Sequence, residues 1–136
     1  MPDINVWIAL ASDRHVHHEP AKKWFAGIEP GGAAFCRVTQ MGFLRLITNH
    51  HIMGADVVTQ KEAWQVYQNL SKDQRVTFLP EPSGIEDGWR RLTRGGTAVT
   101  NTWTDAYLAA FASIRSLKIV SFDSGMHGTD TTILHT

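Results

Sequence analysis

Three aspartates stand at the ends of apolar runs: Asp3 in Pro2-Asp3-Ile4-Asn5-Val6-Trp7, Asp105 in Trp103-Thr104-Asp105-Ala106-Tyr107, and Asp123 in Val120-Ser121-Phe122-Asp123-Ser124. They lie too far apart in sequence for any local helix to group them. A parallel sheet that brought them together would create a dense anionic pocket. Carboxylates that close repel one another, so such a pocket is stable mainly around a hard divalent cation. Mg²⁺ or Mn²⁺ held by carboxylates, with several waters retained, is a common means of attacking a phosphodiester.

Each aspartate also has a plainer local meaning. Asp123 directly follows the apolar run Ile119–Phe122, which would place it at the functional rim of a sheet, yet Asp123-Ser124-Gly125 also reads as a simple turn. Asp105 in Thr102-Trp103-Thr104-Asp105 resembles a capping box, where it would only complement the helix dipole. Asp3 lies close to the first residue, where a solvated end is the plain alternative, and Asn5 could support it by hydrogen bonding. His15-Val16-His17-His18 lacks the partner spacing of a structural zinc site, and the lone Cys36 offers no help. Those histidines read as a solvated approach to a helix, and His50-His51 as a polar loop. Arg45 could contact phosphate from the helix after the second strand. Arg90, Arg91 and Arg94 form the densest basic cluster, read here as a solvated helix end.

The elements that must position these groups follow from periodicity. Ile4 to Ala11 is an apolar opening, with any strand confined to the very terminus before a helical turn begins. Pro20 opens a helix whose apolar face is Ala21, Trp24, Phe25 and Ile28, stopped by Pro30-Gly31-Gly32. Ala33–Cys36 reads as a buried strand, and Thr39–Thr48 as a helix carrying Met41, Phe43, Leu44 and Ile47. Thr59-Gln60-Lys61-Glu62 and Ser83-Gly84-Ile85-Glu86 both fit a capping box. Between them Val76–Leu79 is a strand closed by Pro80 and Pro82. A helix from about Thr102 to Arg115 leads into a strand at Lys118–Phe122, and Thr131–Leu134 adds a last one. Strands alternating with helices imply an α/β fold with a parallel sheet covered on both faces, whose ligands gather beyond the strands' carboxyl ends.

Bulk properties narrow the function classes. At 136 residues the chain fits one domain, 1–136, with a sizeable core. Charges balance at 13 basic and 13 acidic, so any nucleic-acid contact must come from local patches. A single cysteine suits a reducing compartment. No apolar run approaches ~20 residues, the length of a membrane span. The expectation is a cytoplasmic protein with no membrane partner.

The ordered segments resemble the PIN-domain ribonucleases, and specifically the VapC toxins of bacterial toxin–antitoxin modules. The resemblance rests on Asp3-Ile4-Asn5-Val6-Trp7-Ile8-Ala9-Leu10, on His18-Glu19 ahead of Trp24-Phe25, and on Phe35 to Asn49. It continues through Trp103-Thr104-Asp105-Ala106-Tyr107-Leu108-Ala109-Ala110-Phe111-Ala112 and Ile119-Val120-Ser121-Phe122-Asp123. It implies a three-layer α/β/α sandwich around a short parallel sheet, with Mg²⁺ or Mn²⁺ held at the rim by acidic residues. It further implies endonucleolytic hydrolysis of RNA, a homodimer, and silencing by a cognate VapB-type antitoxin. Carried over by position, Asp3, Asp105 and Asp123 are the first, third and fourth acids and the metal ligands. Asn5, Thr104 and Arg45 would orient water, ligands or substrate.

One departure bears on the chemistry. The family's second acid is usually Glu, in the helix after the second strand, and that place holds Gln40. The amide can accept a hydrogen bond or orient water but carries no charge, so the site has three formal negatives. Asp130, in a turn setting, is the one candidate for a replacement carboxylate. Two other classes stay open from sequence. One is a binding module that keeps the fold without catalysis. The other is a phosphohydrolase with Asp3 as covalent nucleophile, for which Asn5 stands where a second acid is wanted.

Overall fold

The computed structural model describes residues 1–100, 102–125 and 130–135. Seven helices are described: α1 (Ile4–Ala11), α2 (His18–Ala26), α3 (Arg37–Ile47), α4 (His50–Met53), α5 (Gln60–Ser71), α6 (Ile85–Leu92) and α7 (Trp103–Arg115). The strands are short: β1 (Ala33–Phe35), β2 (Val76–Phe78), β3 (Ile119–Ser121) and β4 (Thr131–Ile133). All described pairings are parallel, with Ala33 opposite Val76 and Phe35 opposite Phe78, then Ile119 opposite Thr131 and Ser121 opposite Ile133. The chain's opening residues join as a minimal strand: Pro2 bridges Val120 in parallel, with the Asp3 N–H on the Val120 carbonyl at 2.9 Å.

Two apolar cores flank these strands and account for the three layers. One gathers Trp7, Ile8, Phe35, Phe43, Ile47 and Ala63, so α1, α3 and α5 close on β1. The other gathers Leu108, Ala109, Phe111, Ile85 and Ile119, so α6 and α7 close on β3. The architecture is the α/β/α sandwich, but its short parallel strands pair as two two-stranded sheets, β1 with β2 and β3 with β4, where the sequence reading expects one central sheet. Against α1, α3 packs closely enough that Gly42 leaves no room for a Cβ beside the Ile4 side chain.

Local chemistry explains where the helices begin. Thr59 and Glu62 form the expected reciprocal cap, Glu62 N–H to Thr59 Oγ1 at 3.1 Å and Thr59 N–H to Glu62 Oε1 at 3.0 Å. Other starts differ from the sequence reading. At α6 the cap is Gly84 in a left-handed conformation, φ 81°, and not Ser83; Glu86 instead pairs with Arg90 at 2.9 Å, one helical turn on. At α7 Thr102 has φ −97° and ψ −12° and makes no side-chain cap bond. A cap needs extended backbone for its side chain to reach forward, so the Thr102–Asp105 box does not form and Asp105 is not consumed by it. The helix read from Pro20 begins at His18, leaving Pro20 in the first turn, where its missing N–H again costs nothing. His50-His51, read as loop, form a one-turn helix capped by Asn49, which accepts the His51 N–H at 2.9 Å. Among the described residues, no helix is long and apolar enough to cross a membrane.

Candidate functional site

Parallel pairing of β3 with β4 and of Pro2 with Val120 puts their carboxyl ends at one edge, where Asp3 stands beside the end of β3. Asp3 caps α1, with Oδ1 accepting the Val6 N–H at 3.2 Å. Its other oxygen, Oδ2, accepts from Ser121 Oγ at 2.5 Å. Ser121 is fully buried and its Oγ also accepts the Asp123 N–H at 3.0 Å. One hydroxyl therefore ties the first acid to the backbone of the last. Asp123 is exposed, and its Oδ1 accepts the Gly125 N–H at 2.8 Å, so the turn reading and the rim position hold together.

The electrostatics link the three aspartates in series. Asp3 is only 7% exposed. Burial pushes its carboxyl above the ordinary range; Ser121 and the Val6 N–H pull it back in part, and neighbouring Asp105 pushes it up again. Asp105, half-buried at the start of α7, is raised by burial first and by Asp123 second. Among the described residues no three His, Cys, Asp or Glu side chains converge tightly enough to chelate an ion directly. The donor set nevertheless fits Mg²⁺ or Mn²⁺ in kind: hard oxygens, mutually repelling and partly desolvated, gain from a cation that keeps several of its waters.

The remaining candidates are placed as follows. Gln40 is buried in the second turn of α3, and its Oε1 accepts from Arg37 Nη1 at 2.6 Å. Asn5 is exposed on α1, and its backbone N–H helps hold the Asp3 carboxylate. Thr104 is exposed one residue before Asp105. Arg45 is not brought to this edge: it lines a groove between α3 and α5 with Leu44, Thr48, Gln60 and Trp64. Asp130 lies at the opposite, amino-terminal end of the sheet, 3.9 Å from Lys118, and supplies no fourth acid at the rim.

Sequence reasoning missed Ser121. Nothing local marks Ser121 as different from any strand serine, because its partner stands 118 residues away. Its weight is testable. Ser121→Ala removes a donor from a buried carboxylate, so it should cost about 1–3 kcal/mol at neutral pH in urea unfolding with chelator present. The cost should shrink as pH falls through the raised Asp3 value and the carboxylate takes up a proton. An unchanged midpoint at neutral pH would sink that role.

Comparison with known proteins agrees with this fold. The sequence model of the PIN domain matches residues 1–131. Ribonuclease VapC41 of Mycobacterium tuberculosis is 39% identical over 127 residues, covering 90% of this chain and 87% of the relative. Ribonuclease VapC38 of the same species is 32% identical over 124 residues, covering 91% and 84%. Among solved structures, the Mycobacterium tuberculosis VapC20 toxin, described as cleaving the sarcin-ricin loop, superposes with TM-score 0.67 at 16% identity, covering 92% of this chain and 90% of that one. A toxin–antitoxin complex from Klebsiella pneumoniae gives 0.61 at 18% identity, covering 92% and 87%. The chain belongs to the PIN-domain family, in its VapC group.

Proposed function

We propose that the protein is the toxin of a type II toxin–antitoxin pair, an endoribonuclease that hydrolyses RNA phosphodiesters with a divalent cation. The observation that carries the reading is the series Asp3–Asp105–Asp123, coupled at the carboxyl end of a parallel sheet with two members raised by burial and repulsion. Kinship to the named VapC ribonucleases supports it. Asp3, Asp105 and Asp123 would hold Mg²⁺ or Mn²⁺. When bound, the cation offsets charge developing on the phosphate and acidifies water. Ser121 favours the ionised form of Asp3 against burial and holds its carboxylate in place, Asn5 adds a backbone donor, and Thr104 stands ready to order water beside Asp105. A VapB-type antitoxin would cover this anionic edge, and the working form would be a cytoplasmic homodimer.

The test is cleavage of a mixed RNA pool by purified, antitoxin-free protein in Mg²⁺, Mn²⁺ or EDTA, beside Asp105→Asn. Fragments that require metal and vanish in the variant are expected. Fragments that persist in EDTA, or in Asp105→Asn at the wild-type rate, would overturn the assignment.

A further inference from the structure

An edge that carries three carboxylates repels RNA unless a cation stands beside it, and the chain as a whole has no net charge to help. Resting on the ribonuclease reading above, we infer that Arg37 grips a phosphate of the RNA at this rim, and that Gln40 is its positioning residue.

Arg37 is the first residue of α3 and directly follows β1, at that strand's carboxyl end, and α3 packs at Gly42 against Ile4, the first residue of the helix that Asp3 caps. Two contacts fix its long side chain. Nη1 donates to Gln40 Oε1 at 2.6 Å, and the guanidinium lies 4.8 Å from the ring centroid of Phe78, the last residue of β2. Among the described residues no carboxylate lies within ion-pair distance of it, whereas Arg14, Arg75 and Arg90 each have one. The side chain is therefore ordered while its charge stays uncompensated. Most of its donor fork is left unspent, in the planar form that matches a phosphate.

The same geometry gives Gln40 a reason to be glutamine. A guanidinium only donates, so the atom it meets must be the amide oxygen. That oxygen is spoken for, and the amide N–H₂ that remains to Gln40 is a donor. Glutamate at this position would form an ion pair with Arg37 and neutralise it. On this account Gln40 holds the phosphate contact in place and is not a cation ligand.

The test is fluorescence anisotropy of a labelled, mixed-sequence single-stranded RNA oligonucleotide titrated with full-length protein in EDTA, so that cleavage is absent. Arg37→Gln should weaken binding roughly 10-fold, the size of one charge-assisted contact. It should also reduce the salt dependence by about one phosphate's worth. Gln40→Glu should weaken binding in the same direction with an unchanged melting temperature. Lys118→Gln, the same charge loss at the opposite end of β3, should leave affinity within about 2-fold. Binding by Arg37→Gln equal to wild type, or no binding by wild type, overturns the inference. Parallel cleavage in Mg²⁺ separates the two readings. Wild-type cleavage with unaltered binding by Arg37→Gln removes the phosphate grip alone. Absent cleavage with weakened binding removes the ribonuclease reading and leaves the grip.

Discussion

Asp3→Asn should lower RNA cleavage by roughly 100-fold or more, the scale of losing a charged group aimed at the reacting phosphate, while the protein melts at the same temperature or higher. The two halves of this expectation have one cause. Asp3 is almost wholly buried next to Asp105, and burial raises its carboxyl above the ordinary carboxylate range. For an acid raised in the folded state, native protein binds the extra proton. The stability this brings is complete below the unfolded value and is lost as pH rises through the raised folded one. Once pH has risen through that raised value, the ionised Asp3 is, without metal, a liability that asparagine removes. Asparagine is also a good helix cap and can still accept the Val6 N–H, so α1 keeps its start. Melting curves in EDTA from pH 4 to pH 8 should show the variant gaining on wild type as pH rises. Added Mg²⁺ should raise the wild-type transition and leave Asp3→Asn unmoved, since binding stabilises only a site that can bind. Normal turnover by the variant would remove Asp3 from the site.

That trade explains why the acids were legible in the sequence and the groups that serve them were not. A carboxylate next to an apolar run is conspicuous because burial makes it costly, and Asp3, Asp105 and Asp123 all carried that mark. The helix starting at Thr59 was legible for a similar reason, since both halves of its cap lie within one turn. Ser121 gains its meaning only when the chain's start lies alongside β3. Arg37 gains its meaning only when β2 brings Phe78 beneath it. Ser83 and Thr102 carried convincing cap residues, and backbone geometry decided otherwise: Gly84 took the left-handed turn, and Thr102 adopted helical dihedrals. Arg45 shows the limit of spacing on a helix. Five residues beyond Gln40 it lies well around the helix from it, and the groove beside α5 receives it.

Trp7→Ala should be the most damaging single change to the fold. The indole is fully buried and stacks on Phe35 with centroids 3.7 Å apart and planes 10° from parallel. Phe35 in turn meets Phe43 and Tyr67 edge-on, so one stack joins α1 to β1, α3 and α5. Truncation to alanine should cost about 3–5 kcal/mol, a large share of the ~5–15 kcal/mol that holds a domain together. Trp7→Phe separates size from polarity. Among the described residues Trp7 Nε1 has no hydrogen-bond partner, and an unmet buried donor costs about 1–3 kcal/mol. Phenylalanine deletes that donor while keeping most of the stack, so its penalty should fall well below that of alanine, and urea unfolding of the three proteins gives the order. Cleavage should follow the same order, because Asp3 caps α1 and whatever loosens the helix on β1 loosens that carboxylate. An alanine variant as stable as wild type would mean that α1 is held by something other than this stack, and that the position of Asp3 rests on Ser121 and the Val120 pairing alone.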